Sequence, residues 1–409
     1  MTYSYNPHRH VKIWLSKEKN TFLNLENRVR LVKMRDINPK DEIYFIYDSS
    51  LLSEKALEDL NTFCTKYCIT PKDVQKDIIP HCLTNEEKKL IQIYLDEIYH
   101  LDEGGNLAVA SDILRWLHAV YRLGTYHDFD KDVDTRILPD TIFVERPLLI
   151  NLSSAIVTRD LKFVRMKNDS IAVVDEQDAL PYIQKIQKVI YANCCTQPSN
   201  EHTSMEQFVL IYTHCIHELS LPYATDSNLD IENLSLLGSI SKGKTVRKVR
   251  HEILNITANN LNFAKNVLEE LEQFSHLSEN EIIAAAARIH RNSLEQQLGL
   301  HLPKDQHKQI EALAAIKDDR AFLTQVRNNI RLEMLKTSVI YTTGPGAILF
   351  TLFDKLVYEK SIFNNQIAPF SFAHYELDNV FSSENSCSLH ANANANANAN
   401  ANANANANA

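Results

Sequence analysis

The chain is short of glycine. It has 8 in 409 residues, where the usual share of roughly 7% would give about 29. Collagen-like, Gly/Ser-linker and glycine-rich β architectures are excluded, and each glycine becomes a marker of a backbone position that other residues adopt with difficulty. Five of the eight fall at three places: Gly104 with Gly105, Gly124, and Gly344 with Gly346. Positive charge is also in deficit, with 43 Lys and Arg against 52 Asp and Glu for a net charge of −9. A domain that wraps nucleic acid shows the opposite balance. Cysteine is sparse and odd in number, seven without a paired spacing, which argues against a disulfide framework and for a reducing compartment. No run approaches the roughly 18 apolar residues of a membrane span, and Met1 to Ser16 has no apolar signal-peptide core. A soluble, cytoplasmic chain is the expectation, with export into a host cytosol by a machine that reads another signal left open.

What the chain does contain is 44% hydrophobic and 23% charged residues, the composition of a protein that buries a sizeable core. The stretch from Ala391 to Ala409 alternates Ala and Asn and offers no apolar face at either period, so it reads as a disordered tail.

His10 to Ser16 and Glu42 to Asp48 are rich in β-formers, and Phe22 to Met34 between them has helical spacing. This βαβ opening implies a parallel sheet with ligand sites at the carboxyl ends of its strands. Leu51 to Tyr67 and Asn85 to Tyr99 read as helices. Leu107 to Leu123 reads as one amphipathic helix, with Gly124 placed as its left-handed cap. Thr141 to Val144, Ala155 to Thr158, Leu161 to Val164 and Ser170 to Val174 read as strands or edges. Glu176 to Lys336 reads as helical, with a capping box at Ser278 to Glu281, and Ser338 to Thr342 as a returning strand. The expected division is 1–175 as an α/β core, 176–336 as a helical insertion, 337–390 as a return to the core, and 391–409 as the tail.

The densest chemistry runs Gly124-Thr125-Tyr126-His127-Asp128-Phe129-Asp130. Two carboxylates one residue apart at the end of an extended segment can converge on a hard divalent cation such as Mg²⁺ or Mn²⁺. Such an ion can bridge nucleotide phosphates and stabilise a departing diphosphate. An EF-hand is excluded, because a loop begun at Asp128 has Val133 at position six and Pro139 at position twelve. Asp112 and Arg115, three apart on the preceding helix, share a face. His214-Cys215-Ile216-His217-Glu218 reads as helix-surface residues without a second ligand cluster. The basic run Lys242 to Arg250 reads as a solvated loop, or as a peripheral contact for an anionic membrane.

Asn106 to Arg115 followed by Gly124 to Asp130 resembles the DXD region of GT-A glycosyltransferases of the large clostridial toxin type, and of related bacterial effectors and fungal mannosyltransferases. His10 to Leu15 is similar to that family's first strand, Phe45 to Ser49 to its second, Asn168 to Ala172 to its mid-domain Asn-Asp segment, and Thr343 to Gly346 to its late Thr-Gly-Pro turn. The resemblance implies a GT-A, Rossmann-like mixed α/β sheet flanked by helices, and a UDP-sugar as donor. It implies Asp130 as direct metal ligand, with Asp128 at the metal-bound water and the ribose or sugar. Asp112 and Arg115 would hold donor-sugar hydroxyls. Trp14 would stack on uracil, with Ser111, Tyr126 and Asn168 in the same pocket. The family closes the site with a C-terminal Glu, Ser and Trp. Glu384 as a metal ligand and Ser386 or Ser388 at the donor fill the first two places, and the flap tryptophan is absent, as are the family's usual apolar residue at His127 and glycine at Thr125.

The expected function is transfer of glucose or N-acetylglucosamine to a Ser or Thr hydroxyl of a protein, with retention, by a toxin or effector. A non-catalytic nucleotide-sugar-binding module and a soluble glycan-directed enzyme are the alternatives. The helical insertion would serve acceptor recognition or targeting.

Overall fold

The structure, a computed structural model, describes residues 2–156, 158–195, 246–255, 260–268, 276–298, 304–354 and 357–383. The Ala-Asn tail, His214 to Glu218, Lys242 to Lys244, and Glu384, Ser386 and Ser388 lie outside the described residues. The chain divides into two compact units, one of residues 1–101, 105–192 and 339–409, the other of residues 102–104 and 193–338.

The strands of the first unit are β1 (Tyr3–Tyr5), β2 (Arg9–Ile13), β3 (Glu42–Tyr47), β4 (Thr70–Asp73), β5 (Thr125–His127), β6 (Lys131–Val133), β7 (Ile142–Val144), β8 (Leu148–Ile156), β9 (Leu161–Val173), β10 (Val357–Glu359) and β11 (Phe381–Ser383). Seven of them form a mixed sheet in the order β10-β9-β5-β2-β3-β4, with β8 added on β9. β2 runs parallel to β3 and to β5, whereas β9 runs antiparallel to β5. The opening is the expected βαβ unit. Helix α1 (Leu25–Ile37) crosses between β2 and β3 and is capped by the Asn24 side chain, which accepts from the Asn27 N–H at 2.9 Å. Helices α2 (Glu54–Lys66) and α3 (Asn85–Tyr99) follow, the latter with a complete Thr84/Glu87 capping box. Phe22, Leu23, Leu31, Ile43, Phe45 and Leu149 anchor one buried apolar cluster.

The expected single helix over 107–123 is two. α4 (Leu107–Leu114) ends at Arg115, and α5 (His118–Tyr121) starts after Leu117 in an extended conformation. The break is held by buried partners. Glu87 accepts from the His118 N–H at 2.6 Å, and Gln187 on helix α6 (Glu176–Cys194) donates to the Trp116 carbonyl at 2.8 Å. Gly124 does not cap the helix; Arg122 does. Gly124 instead stands at φ +150°, where an added Cβ would lie 2.4 Å from the Arg9 carbonyl oxygen, so glycine is required for β5 to enter beside β2.

The expected segments between Ala155 and Val174 merge into the long β8/β9 hairpin, with a bulge between Ile150 and Asn151. Ser338 to Thr342 is not a strand but the end of helix Asp319–Thr342. The segment continues the helix begun at Asp319, with Ser338 and Thr342 buried on it. Ser338 Oγ donates to the Leu335 carbonyl at 2.6 Å, and the helix is stopped by Gly344, whose N–H bonds the Val339 carbonyl at 3.0 Å.

The second unit is helical where it is described, with Val246–Asn255, Asn260–Leu268, Glu279–Leu298, Lys304–Ala314 and most of Asp319–Thr342. Ala264, Leu268, Ile283, Ala287, Phe322, Leu323 and Val326 are in its core. Glu281 Oε2 accepts from the Ser278 N–H and hydroxyl at 2.8 and 2.6 Å, the expected helix start. Arg247 and Arg250 are not on a solvated basic surface. Both are buried, and they donate to the Glu103 and Gly104 carbonyls at 3.0 Å.

Candidate active site

At the carboxyl end of β5 the chain turns through Asp128-Phe129-Asp130 into β6. The turn is fixed from three sides by backbone bonds. The Asp128 N–H donates to the Asp169 carbonyl at 2.8 Å, the Lys131 N–H donates back to the Asp128 carbonyl at 3.1 Å, and the Lys12 ammonium donates to that same carbonyl at 2.6 Å and to the Lys131 carbonyl at 3.3 Å. Lys12 is buried on β2. Desolvation pushes it down to about 8, against the pull of Asp128, Asp130 and Asp132.

Five of the expected residues, Asp112, Arg115, Tyr126, Asp128 and Asn168, form one connected cluster. Arg115 is 3.0 Å from Asp112 Oδ1 and 3.4 Å from Asp128 Oδ1, and it donates to the Asn168 carbonyl at 2.9 Å. Its guanidinium lies 4.1 Å from the centroid of the Tyr126 ring, a cation–π arrangement in a desolvated setting. Tyr126 in turn donates its hydroxyl to Asp128. Asp112 accepts from the Asn168 amide and from the Thr343 hydroxyl, both at 3.0 Å, so the late Thr-Gly-Pro turn reaches this cluster from 231 residues away. Burial pushes the Asp112 carboxyl up to about 6, and Arg115 opposes the rise.

Asp130 is pushed up to about 6 by burial and by the charges of Asp128 and Asp169. Ser111 is buried on α4. Trp14 is half-buried, edge-on to Phe129 at 5.6 Å, with its indole N–H lacking a hydrogen-bond partner. The flap candidates Glu384, Ser386 and Ser388 are beyond the described residues, but β11 pairs with β6 and sets Ser383 opposite Lys131, next to Asp130.

Besides Lys12, the sequence reading missed Lys131 and Asn151, and it missed what Asp169 of the Asn-Asp segment does. Lys131 forms an ion pair with Asp169 at 3.0 Å, and Asn151 donates to the same carboxylate at 2.7 Å. Asp169 thus holds the turn through its carbonyl while its carboxylate is held by two other elements. His127 is fully buried, bonded to the Ser170 hydroxyl at 3.0 Å and packed 4.5 Å from the Phe381 ring. Burial pushes its imidazole well below the ordinary range, so it serves as a neutral packing group.

Fold and site together define an α/β protein with an acidic, arginine-bearing cluster at the carboxyl end of a central strand. The family model of glycosyltransferase family 88 matches residues 1–231, more than half of the chain, and the protein belongs to that family; it is a glycosyltransferase. Among solved structures, one described as "PaToxG Glycosyltransferase" is similar at 15% identity over 78% of this chain and 88% of that one, with a TM-score of 0.34. Another, described as "Structure of Transferase", is similar at 15% identity over 56% of this chain and 91% of that one, with a TM-score of 0.31. No curated protein matches the chain by sequence. Among the described residues no helix is long and apolar enough to cross a membrane.

Proposed function

We propose that the protein transfers glucose or N-acetylglucosamine from a UDP-sugar to a Ser or Thr hydroxyl of a protein acceptor, with retention, as a GT-A enzyme of the toxin or effector kind. The observation that carries this reading is the Asp112–Arg115–Asp128 cluster, set beside an Asp130 whose carboxyl has no hydrogen-bond or ion-pair partner among the described residues.

The donor set suits a hard divalent ion. Among the described residues no three His, Cys, Asp or Glu side chains group to hold a metal, yet Mg²⁺ and Mn²⁺ are commonly held by one or two carboxylates, waters and substrate phosphates. Asp130 as direct ligand and Asp128 through water meet that requirement, and the burial and the neighbouring carboxylate charges that raise Asp130 are what a bound cation would offset. When bound, the ion would stabilise charge on the departing diphosphate.

The protein side of the chemistry is positioning. Three of the roughly four lone-pair sites of a carboxylate are taken on Asp112 by Asn168, Arg115 and Thr343, which leaves one for a sugar hydroxyl. Arg115 keeps a buried Nε–H without a partner, a donor suited to another sugar oxygen. Trp14 offers an aromatic surface and an unbonded indole N–H beside the turn, suited to the base, while Ser111, Tyr126 and Asn168 line or brace the same pocket. In the transfer the bond from the anomeric carbon to the diphosphate breaks, a bond to the acceptor oxygen forms on the same face, and the hydroxyl proton leaves on a donor phosphate oxygen.

The test is slow hydrolysis of UDP-hexoses without acceptor in the presence of Mn²⁺, with Asp130→Asn inactive. Binding of UDP with no hydrolysis of any donor would sink the enzymatic part of the proposal.

A further inference from the structure

Next to the Asp130 turn lies a cavity of about 540 Å³. One wall is Asn151 to Ser154 of β8 with Lys167 of β9, another is the Ser371 to Asn379 segment, and Lys131 and Phe381 line it towards the turn. Lys131 and Asn151 also grip Asp169, the residue whose carbonyl anchors Asp128, so this cavity and the acidic turn share their supports.

The β8 wall is a sheet edge covered at its start, where Ile150 bridges Ser371 in parallel, and open beyond Leu152 among the described residues. From Asn151 to Ile156 the strand pairs on one side with β9. On the other side the Ser371 hydroxyl donates to the Leu152 carbonyl at 3.0 Å, so that carbonyl points away from β9. Backbone groups alternate in direction along a strand, which turns the N–H and C=O of Ser154 the same way. Among the described residues no strand pairs with them there. Ser153 and Ser154 are exposed. The walls carry opposite charges, Lys167 and Asp378, neither in an ion pair with a described residue.

We infer that this cavity is the acceptor site and that it takes an extended polypeptide, added as a strand along the free edge of β8 at Ser154, with an acidic residue facing Lys167 and a basic one facing Asp378. The inference rests on the transferase reading above and adds where its polypeptide acceptor binds and in what conformation. An open backbone edge is satisfied by main-chain donors and acceptors at strand spacing, which a polypeptide supplies and a glycan does not. Side chains on alternate faces of the added strand then meet the charged walls. Its Ser or Thr hydroxyl would reach the anomeric carbon at the Lys131 end of the cavity. There the carbon–diphosphate bond breaks, the carbon–oxygen bond to the hydroxyl forms, and the hydroxyl proton leaves with the nucleoside diphosphate.

The experiment uses the full chain, Mn²⁺, the UDP-sugar it hydrolyses, and an oriented peptide library centred on Ser or Thr, with transfer and acceptor-free hydrolysis measured side by side. Ser154→Pro removes the outward N–H of an edge position where proline is tolerated, and it should lower the ratio of transfer to hydrolysis about ten-fold. Lys167→Glu should switch the preferred library residue at one position from acidic to basic, an outcome that a folding defect does not produce. Unchanged ratio and preference in both variants, or donor hydrolysis with no peptide in the library modified, would overturn the acceptor assignment alone. Absence of donor hydrolysis in the wild type would instead bring down the transferase reading beneath it.

Discussion

The Lys12 ammonium is bonded to the backbone carbonyl of Asp128 at 2.6 Å. A strand residue near the start of the chain therefore fixes the geometry of the acidic turn without using either carboxylate. Lys12→Met keeps the apolar stem and removes the charge, leaving two carbonyls short of a donor. An unmade buried bond costs about 1–3 kcal/mol, so Mn²⁺ affinity, followed by electron paramagnetic resonance, and donor hydrolysis should both fall by about ten-fold or more. Unchanged Mn²⁺ affinity would mean that the turn holds its shape unaided.

Asp112 and Arg115 are a buried pair, each almost fully shielded from solvent. Asp112→Asn leaves the guanidinium with Asp128 as its remaining carboxylate neighbour at 3.4 Å. Breaking such a pair from one side typically costs about 3–5 kcal/mol. A clear loss of stability in urea unfolding, together with loss of donor hydrolysis, is expected, and a variant of wild-type stability would contradict the cluster as described.

Gly124→Ala adds a Cβ 2.4 Å from the Arg9 carbonyl oxygen at a backbone angle that alanine avoids. Either β5 separates from β2 or the backbone strains, at a cost of about 1–3 kcal/mol or more. Differential scanning calorimetry should show a lowered Tm. The same substitution at Gly346, a buried position within helix Pro345–Phe353, has no such backbone angle to violate.

His290, in the second unit, is pushed down to about 4 by burial, from an ordinary value of 6.5. As the pH falls below 6.5 the unfolded chain takes up a proton that the folded chain refuses until about 4. Its contribution to stability is therefore full above pH 6.5 and is lost between 6.5 and 4, by about 3 kcal/mol. Urea unfolding followed by circular dichroism over this range should show the decline, and His290→Leu should flatten it.

How much of the site was legible follows from sequence separation. Asp112 with Arg115, and Tyr126 with Asp128, are local pairs at helix and strand spacing, so pattern alone groups them. Thr343 was legible as part of a turn, though not as a partner of Asp112, 231 residues away. Lys12 carried no local signal at all. In sequence it is a charged residue between two apolar ones, which on a strand suggests a solvent face, and only the pairing of β2 with β5 puts it under the Asp128 turn. Lys131 and Asn151 were hidden for the same reason, and Asp169, legible as part of the Asn-Asp segment, was not legible as the support of the turn.

The sequence by itself determined the βαβ opening, most helices, and the acidic turn with its arginine, because these depend on periodicity, capping and spacing within a few residues. Tertiary structure decided where one expected helix breaks and which buried lysine and carboxylate hold the turn. The physical reason is common to these cases. Each depends on a partner brought close by folding, whether Glu87 and Gln187 at the helix break or β2 and β9 flanking β5. The energy of such a contact outweighs local propensity.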